Sequence, residues 1–109
     1  MGLTKSEIFT EEQNEIAAIA KVLGHPARIA ILEFLIKLES CVCGDLVKDI
    51  GLAQPTISQH LKELKDAGLI KGEVSPPKIK YCIHQENWEK AQLLFNNFFS
   101  NNSTSISCK

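Results

Sequence analysis

The chain has 109 residues, four cysteines and a net charge of −1. A domain of about 100–150 residues buries its own core, so one domain is expected, with no need of disulfides or metal to fold. Apolar residues at 44% and charged residues at 23% exclude disordered and collagen-like chains, and no apolar run approaches the ~18 residues of a membrane span. The polar, acidic stretch Met1–Glu12 lacks the apolar segment of a signal peptide. A cytoplasmic location is therefore expected. Thiols stay reduced there, so the cysteines are expected to be buried, reactive or metal-binding rather than paired.

Residues 1–10 read as a loose arm. Thr10-Glu11-Glu12-Gln13 has the form of a capping box, and Ile16, Ile19, Ala20 and Leu23 recur at helical spacing, predicting a helix from Glu11 to Leu23 that Gly24 ends. His25-Pro26 opens a second helix, with Pro26 at the tolerated first position and His25 as a capping residue. Ile29, Leu32, Leu35 and Ile36 give it an apolar stripe, widened by Ala30, Ile31 and Phe34, ending near Leu38. Ser40 to Cys43 is a short strand, Asp45 to Ile50 a third helix, Gly51-Leu52-Ala53 a turn, and Gln54 to Ala67 a fourth helix stopped by Gly68. The period then becomes strand-like: Leu69–Val74 and Ile79–Ile83 flank Ser75-Pro76-Pro77-Lys78 as a hairpin. A last helix runs from Gln85 to Phe99, and the tail at 101–109 is polar. The fold class is mainly α with a small β-hairpin. A short helix, a tight turn and a second helix form a helix-turn-helix, and the hairpin is its wing.

On a helical wheel, Ile57, Leu61 and Leu64 of the fourth helix face the core, while Pro55, Thr56, Gln59, Lys62 and Asp66 project outward and Gln54 and Ser58 flank the N-terminus. That is the chemistry of a recognition helix. Glutamine pairs bidentately with adenine, and serine and threonine serve bases or phosphates, when the helix N-terminus enters the major groove. The average charge conceals an asymmetry. Residues 1–51 carry five basic residues against eight acids, whereas residues 52–82 carry five lysines (Lys62, Lys65, Lys71, Lys78, Lys80) against three acids. The helix and wing thus hold the positive excess, with Lys62, Lys78 and Lys80 as phosphate contacts. The last helix carries Trp88, Ala91, Leu93, Leu94, Phe95, Phe98 and Phe99 around more than half its circumference. A two-fold dimer would cover them, with Ile16, Ile19, Trp88, Leu94, Phe95 and Phe98 as interface residues.

The stretches Lys21-Val22-Leu23-Gly24-His25-Pro26-Ala27-Arg28, Gln54-Pro55-Thr56-Ile57-Ser58-Gln59-His60-Leu61 and Ala67-Gly68-Leu69-Ile70, continuing to Tyr81, resemble the ArsR/SmtB family of winged-helix repressors over about the middle two-thirds of the chain. The resemblance implies a homodimer that binds double-stranded operator DNA and releases it on binding an effector. It puts DNA contacts on Gln54, Pro55, Thr56, Ser58 and Gln59; His60, beside the core face, is expected to be structural.

Cys41-Val42-Cys43 is the most suggestive chemical feature, because a helix N-terminus favours thiolates, the ligands of soft metals. In the arsenic- and lead-sensing branches that the sequence resembles, a Cys-Val-Cys element here supplies two thiolates. This chain departs from them: Gly44 stands between Cys43 and Asp45, and no third cysteine follows in the third helix. If Ser40–Cys43 pairs with Ile79–Ile83, Cys82 comes near as a third ligand, with His84 on its strand face; Cys108 is a further candidate. The expected ligands for arsenite, antimonite or another thiophilic ion are thus Cys41, Cys43 and Cys82, and plain packing of small apolar thiols is the competing reading. The family's other metal site, on the last helix, lacks histidine here, so no zinc is expected there. A protein-interaction module and a small thiol metal carrier without DNA binding are the alternative functions. An enzyme is not expected, as no phosphate loop, carboxylate pair or positioned nucleophile is present.

Overall fold

The computed structural model describes residues 5–38, 41–43, 50–75 and 78–100. Most of the expected third helix, the hairpin tip Pro76-Pro77 and the tail with Cys108 lie outside these residues. The elements are α1 (Lys5–Ile8), α2 (Glu11–Leu23), α3 (Pro26–Leu38), β1 (Val42–Cys43), α4 (Gln54–Asp66), β2 (Ile70–Ser75), β3 (Lys78–Ile83) and α5 (Gln85–Ser100).

The expected loose arm holds one helical turn, α1. Thr10, extended at φ −69° and ψ 160°, separates it from α2. The capping box forms as expected: Gln13 N–H donates to Thr10 Oγ1 at 3.1 Å, and Thr10 N–H donates to Gln13 Oε1 at 2.9 Å.

The inward face of α3 differs from the expected stripe. Ile31, Leu32 and Leu35 are buried together with Arg28, whereas Ile29 and Ile36 remain 39% and 43% exposed. Positions 28, 31, 32 and 35 share one helical sector, and Ile29 and Ile36, seven apart, share the next. Ile57, Leu61 and Leu64 of α4 close the core against α3 as the wheel predicts, and Leu69, Ile70 and Ala91 complete it. Full burial of each large aliphatic side chain contributes about 1.5–3 kcal/mol.

Gly68 turns the chain from α4 into β2. Its φ of +82° is left-handed, and a Cβ there would lie 2.9 Å from Asn87 Nδ2, which donates to the Gly68 carbonyl at 2.9 Å. The sheet has the antiparallel order β1-β3-β2. The strand expected around Cys41–Cys43 does pair with the wing: Val42 faces Tyr81 and Cys43 faces Lys80. His84 is not part of that strand. It caps α5, its Nδ1 accepting from Asn87 N–H at 3.2 Å and its carbonyl accepting from Trp88 N–H at 2.8 Å.

Candidate nucleic-acid interface and thiol site

Three buried side chains pin α4 by one face and leave the other in solvent. Gln54, Pro55, Thr56, Ser58, Gln59 and Lys62 are all exposed on it. Ala53 at the N-cap offers no side-chain acceptor, so no side chain caps the first turn, and a helix N-terminus of that kind attracts phosphate. The outward groups are engaged with one another along the helix. Gln54 Nε2 donates to Ser58 Oγ at 3.4 Å, Gln59 Nε2 to Glu63 Oε1 at 3.0 Å, and Lys62 Nζ to Asp66 Oδ2 at 2.8 Å. The hydrogen bond and charge of Asp66 raise the Lys62 pKa. These contacts are exposed and therefore weak, so a ligand can exchange them for its own. On the wing, Lys80 is exposed opposite Glu73, and Lys78 opens β3 opposite Ser75.

The orientation of α4 is fixed by a brace. Arg28, buried in α3, donates from Nε to His60 Nδ1 at 3.0 Å and from Nη1 to the Val22 carbonyl at 3.2 Å. One guanidinium thus ties the end of α2, α3 and α4 together. His60 has a structural role, as expected; the burial of Arg28 is not predicted by its charge. The contact requires an unprotonated Nδ1. Burial, then the charge of Arg28 and then that of His25, whose ring centroid is 5.8 Å away, lower the His60 pKa below the ordinary 6.5. The unfolded chain then takes up the proton first, so the folded state loses stability as pH falls below about 6.5 and on toward the lowered value. Denaturant titrations at stepped pH are expected to show this loss. His60→Gln, which keeps an acceptor but does not titrate, is expected to flatten it; an unchanged slope would contradict the brace.

The cysteines do not stand as four free thiols. Cys41 and Cys82 form a disulfide, their Cα atoms 4.3 Å apart. The register explains it: the ladder that sets Val42 opposite Tyr81 sets Cys41 opposite Cys82. Among the expected ligands, then, Cys41 and Cys82 are brought together, and Cys43 stands at the register position facing Lys80. Glu73 joins the first two. One ligand atom from each of Cys41, Glu73 and Cys82 lies within 4.8 Å of the others. Glu73 is not among the residues expected from the sequence; only the β2–β3 register, which sets Lys71 opposite Cys82 and Glu73 opposite Lys80, brings it there. The sulfurs lie at the edge of an open cavity of about 530 Å³ that Leu35, Lys71 and Trp88 also line.

The expected dimer residues divide into two groups. Ile19 and Trp88 pack partly on their own core, and Ile16, Leu94 and Phe95 are half-buried. Phe98 is 52% exposed, alongside Leu93 at 61% and Phe99 at 70%. Phe98 and Phe99 meet edge to face with ring centroids 5.2 Å apart.

Residues 25–71, from the start of α3 to β2, match the family of bacterial regulatory proteins named arsR. The chain is 32% identical over 94 residues to the biofilm growth-associated repressor of Xylella fastidiosa, covering 86% of this chain and 79% of that protein. It is 38% identical over 72 residues to the arsenical resistance operon repressor of Staphylococcus xylosus, covering 66% and 68%. The chain belongs to the arsR family. It is a transcriptional regulator of the winged helix-turn-helix type, and both relatives are repressors. The crystal structure of the repressor BigR from Xylella fastidiosa superposes with a TM-score of 0.64 at 25% identity, over 94% of this chain and all of that one. Among the described residues, no helix of the regulator is long and apolar enough to cross a membrane.

Proposed function

We propose that the regulator is a homodimeric, cytoplasmic repressor that lays the N-terminal turns of α4 in the major groove of operator DNA. The observation that carries this reading is the exposed face of α4. It presents Gln54, Thr56, Ser58 and Gln59 around a first turn without a side-chain cap, with the hairpin beside it. Gln54 and Gln59 are base readers, Thr56 and Ser58 serve base or phosphate, Pro55 offers apolar contact to a thymine methyl, and Lys62, Lys78 and Lys80 neutralise phosphates. Two such helices, related by the dimer axis and one helical turn of DNA apart, match a palindromic site. Pairing through α5 covers Leu93, Phe98 and Phe99, which are otherwise in water.

A gel shift with the DNA upstream of its own gene tests the reading. A retarded band that weakens steeply with salt is expected; no band at low salt would contradict it. The reading extends to derepression by a thiol-bound effector, supported by the convergence of Cys41 and Cys82 at the base of the wing. With a coupling of about 1–3 kcal/mol, a thiophilic ion such as arsenite weakens operator binding of the reduced protein about 5–150-fold. Unchanged affinity with excess arsenite would exclude that ion.

A further inference from the structure

We propose that reduced Cys41 and Cys82 together with Glu73 form a three-donor site for a borderline divalent cation, zinc(II) or cadmium(II), at the base of the hairpin. The inference rests on the thiol-effector reading and names its site and its ion.

The placement follows from the ladder. Cys41 is the cross-strand partner position of Cys82, and Glu73 lies diagonally across β2 from it, two residues beyond the directly paired Lys71. Side chains at direct and diagonal positions share a sheet face within reach of one another. Their ligand atoms accordingly all lie within 4.8 Å. A tetrahedral zinc ion, with bonds of about 2.3 Å to sulfur and 2.0 Å to oxygen, holds its donors about 3.5–3.8 Å apart. Small side-chain rotations reach that spacing once the sulfurs are separated.

The donor set selects the ion. Two thiolates favour a soft or borderline metal, and the carboxylate favours a divalent ion that also accepts hard oxygen. The complex of one divalent ion with two thiolates and a carboxylate carries one net negative charge. Lys71, 3.8 Å from Glu73 in an exposed ion pair, and Lys80, facing Glu73 across the ladder, balance it. The exposed Lys71–Glu73 pair is weak and yields its carboxylate readily.

Oxidation and metal binding exclude each other here. The disulfide occupies both sulfurs. A phosphine reductant opens it, taking up the oxygen of one water and leaving two thiols; the ion then forms two metal–sulfur bonds and releases two protons to solvent. The bound ion joins β2 and β3 to the chain entering β1. Since β2 also packs against α4, the ion acts on the wing and the recognition helix together.

The test is a cadmium titration of the full chain, reduced with phosphine and kept free of oxygen, read by the thiolate-to-cadmium charge-transfer band and by competition with a chromophoric chelator. One cadmium per chain is expected. Cys41→Ser and Cys82→Ala are expected to lose the band. Glu73→Gln, an exposed change that leaves the fold intact, is expected to keep the band but weaken binding at least about tenfold. Unchanged affinity in Glu73→Gln, or a band retained in Cys41→Ser or Cys82→Ala, would overturn the site. Operator affinity of the cadmium-loaded protein is measured separately: cadmium binding as described with no change in operator affinity sinks the effector reading and leaves the site standing.

Discussion

Arg28→Ala is expected to lower folding stability by about 3 kcal/mol or more. The guanidinium makes two hydrogen bonds from a buried position, to His60 Nδ1 and to the Val22 carbonyl, and bonds from a charged donor contribute about 1.5–3 kcal/mol each. Truncation leaves both acceptors without this donor and opens space between α3 and α4. Arg28→Lys should recover only part of the loss, because a single ammonium cannot reach two acceptors in the geometry of the planar fork. Equilibrium denaturation measures the effect. A loss below about 1 kcal/mol would mean that neither bond contributes much to stability. Since the brace sets the angle of α4, operator affinity of Arg28→Lys is expected to fall at temperatures where the protein is still fully folded.

The second large effect is expected at α5. Phe98→Asp places a charge on a side chain that is 52% exposed, between Leu93 and Phe99, which are more exposed still. The isolated fold tolerates it, since Phe98 lies outside the buried core. A dimer interface does not, because a desolvated, unpaired carboxylate opposes association. Sedimentation is expected to show monomers with little change in helix content. Operator affinity is expected to fall about 10²–10⁴-fold, the usual advantage of two linked contacts over one. A variant that stays dimeric and binds operator normally would move the interface away from this end of α5.

The sequence is most informative where one period governs. The capping box at Thr10 and Gln13, the core face Ile57-Leu61-Leu64 and the bounds of α2 and α3 follow from spacing alone, because local hydrogen bonds and one apolar face decide them. It is less informative where two distant segments decide together. Ile29 and Ile36 are as apolar as Ile31, yet which sector of α3 turns inward depends on α4 and β3. Arg28 looks like a surface cation until His60, 32 residues later, lies beside it. The pairing of Cys41 with Cys82 rather than with Cys43, and the arrival of Glu73, are properties of ladder register. A one-residue slip would send every side chain to the other face. The outward residues of α4 are readable as candidates, but their contacts with Glu63 and Asp66 in the free protein emerge only from side-chain geometry.

The proposed reader of base sequence is the outward face of α4. Fluorescence anisotropy on a labelled operator duplex and on the same duplex with scrambled half-sites, over a series of salt concentrations, tests it most directly. Gln59→Ala is expected to cost about 1–3 kcal/mol on the operator and little on the scrambled duplex. Lys62→Ala is expected to weaken both alike and to reduce the salt slope by about one. If Gln59→Ala leaves the preference for operator over scrambled DNA intact, α4 does not read bases through this face, and the central claim fails.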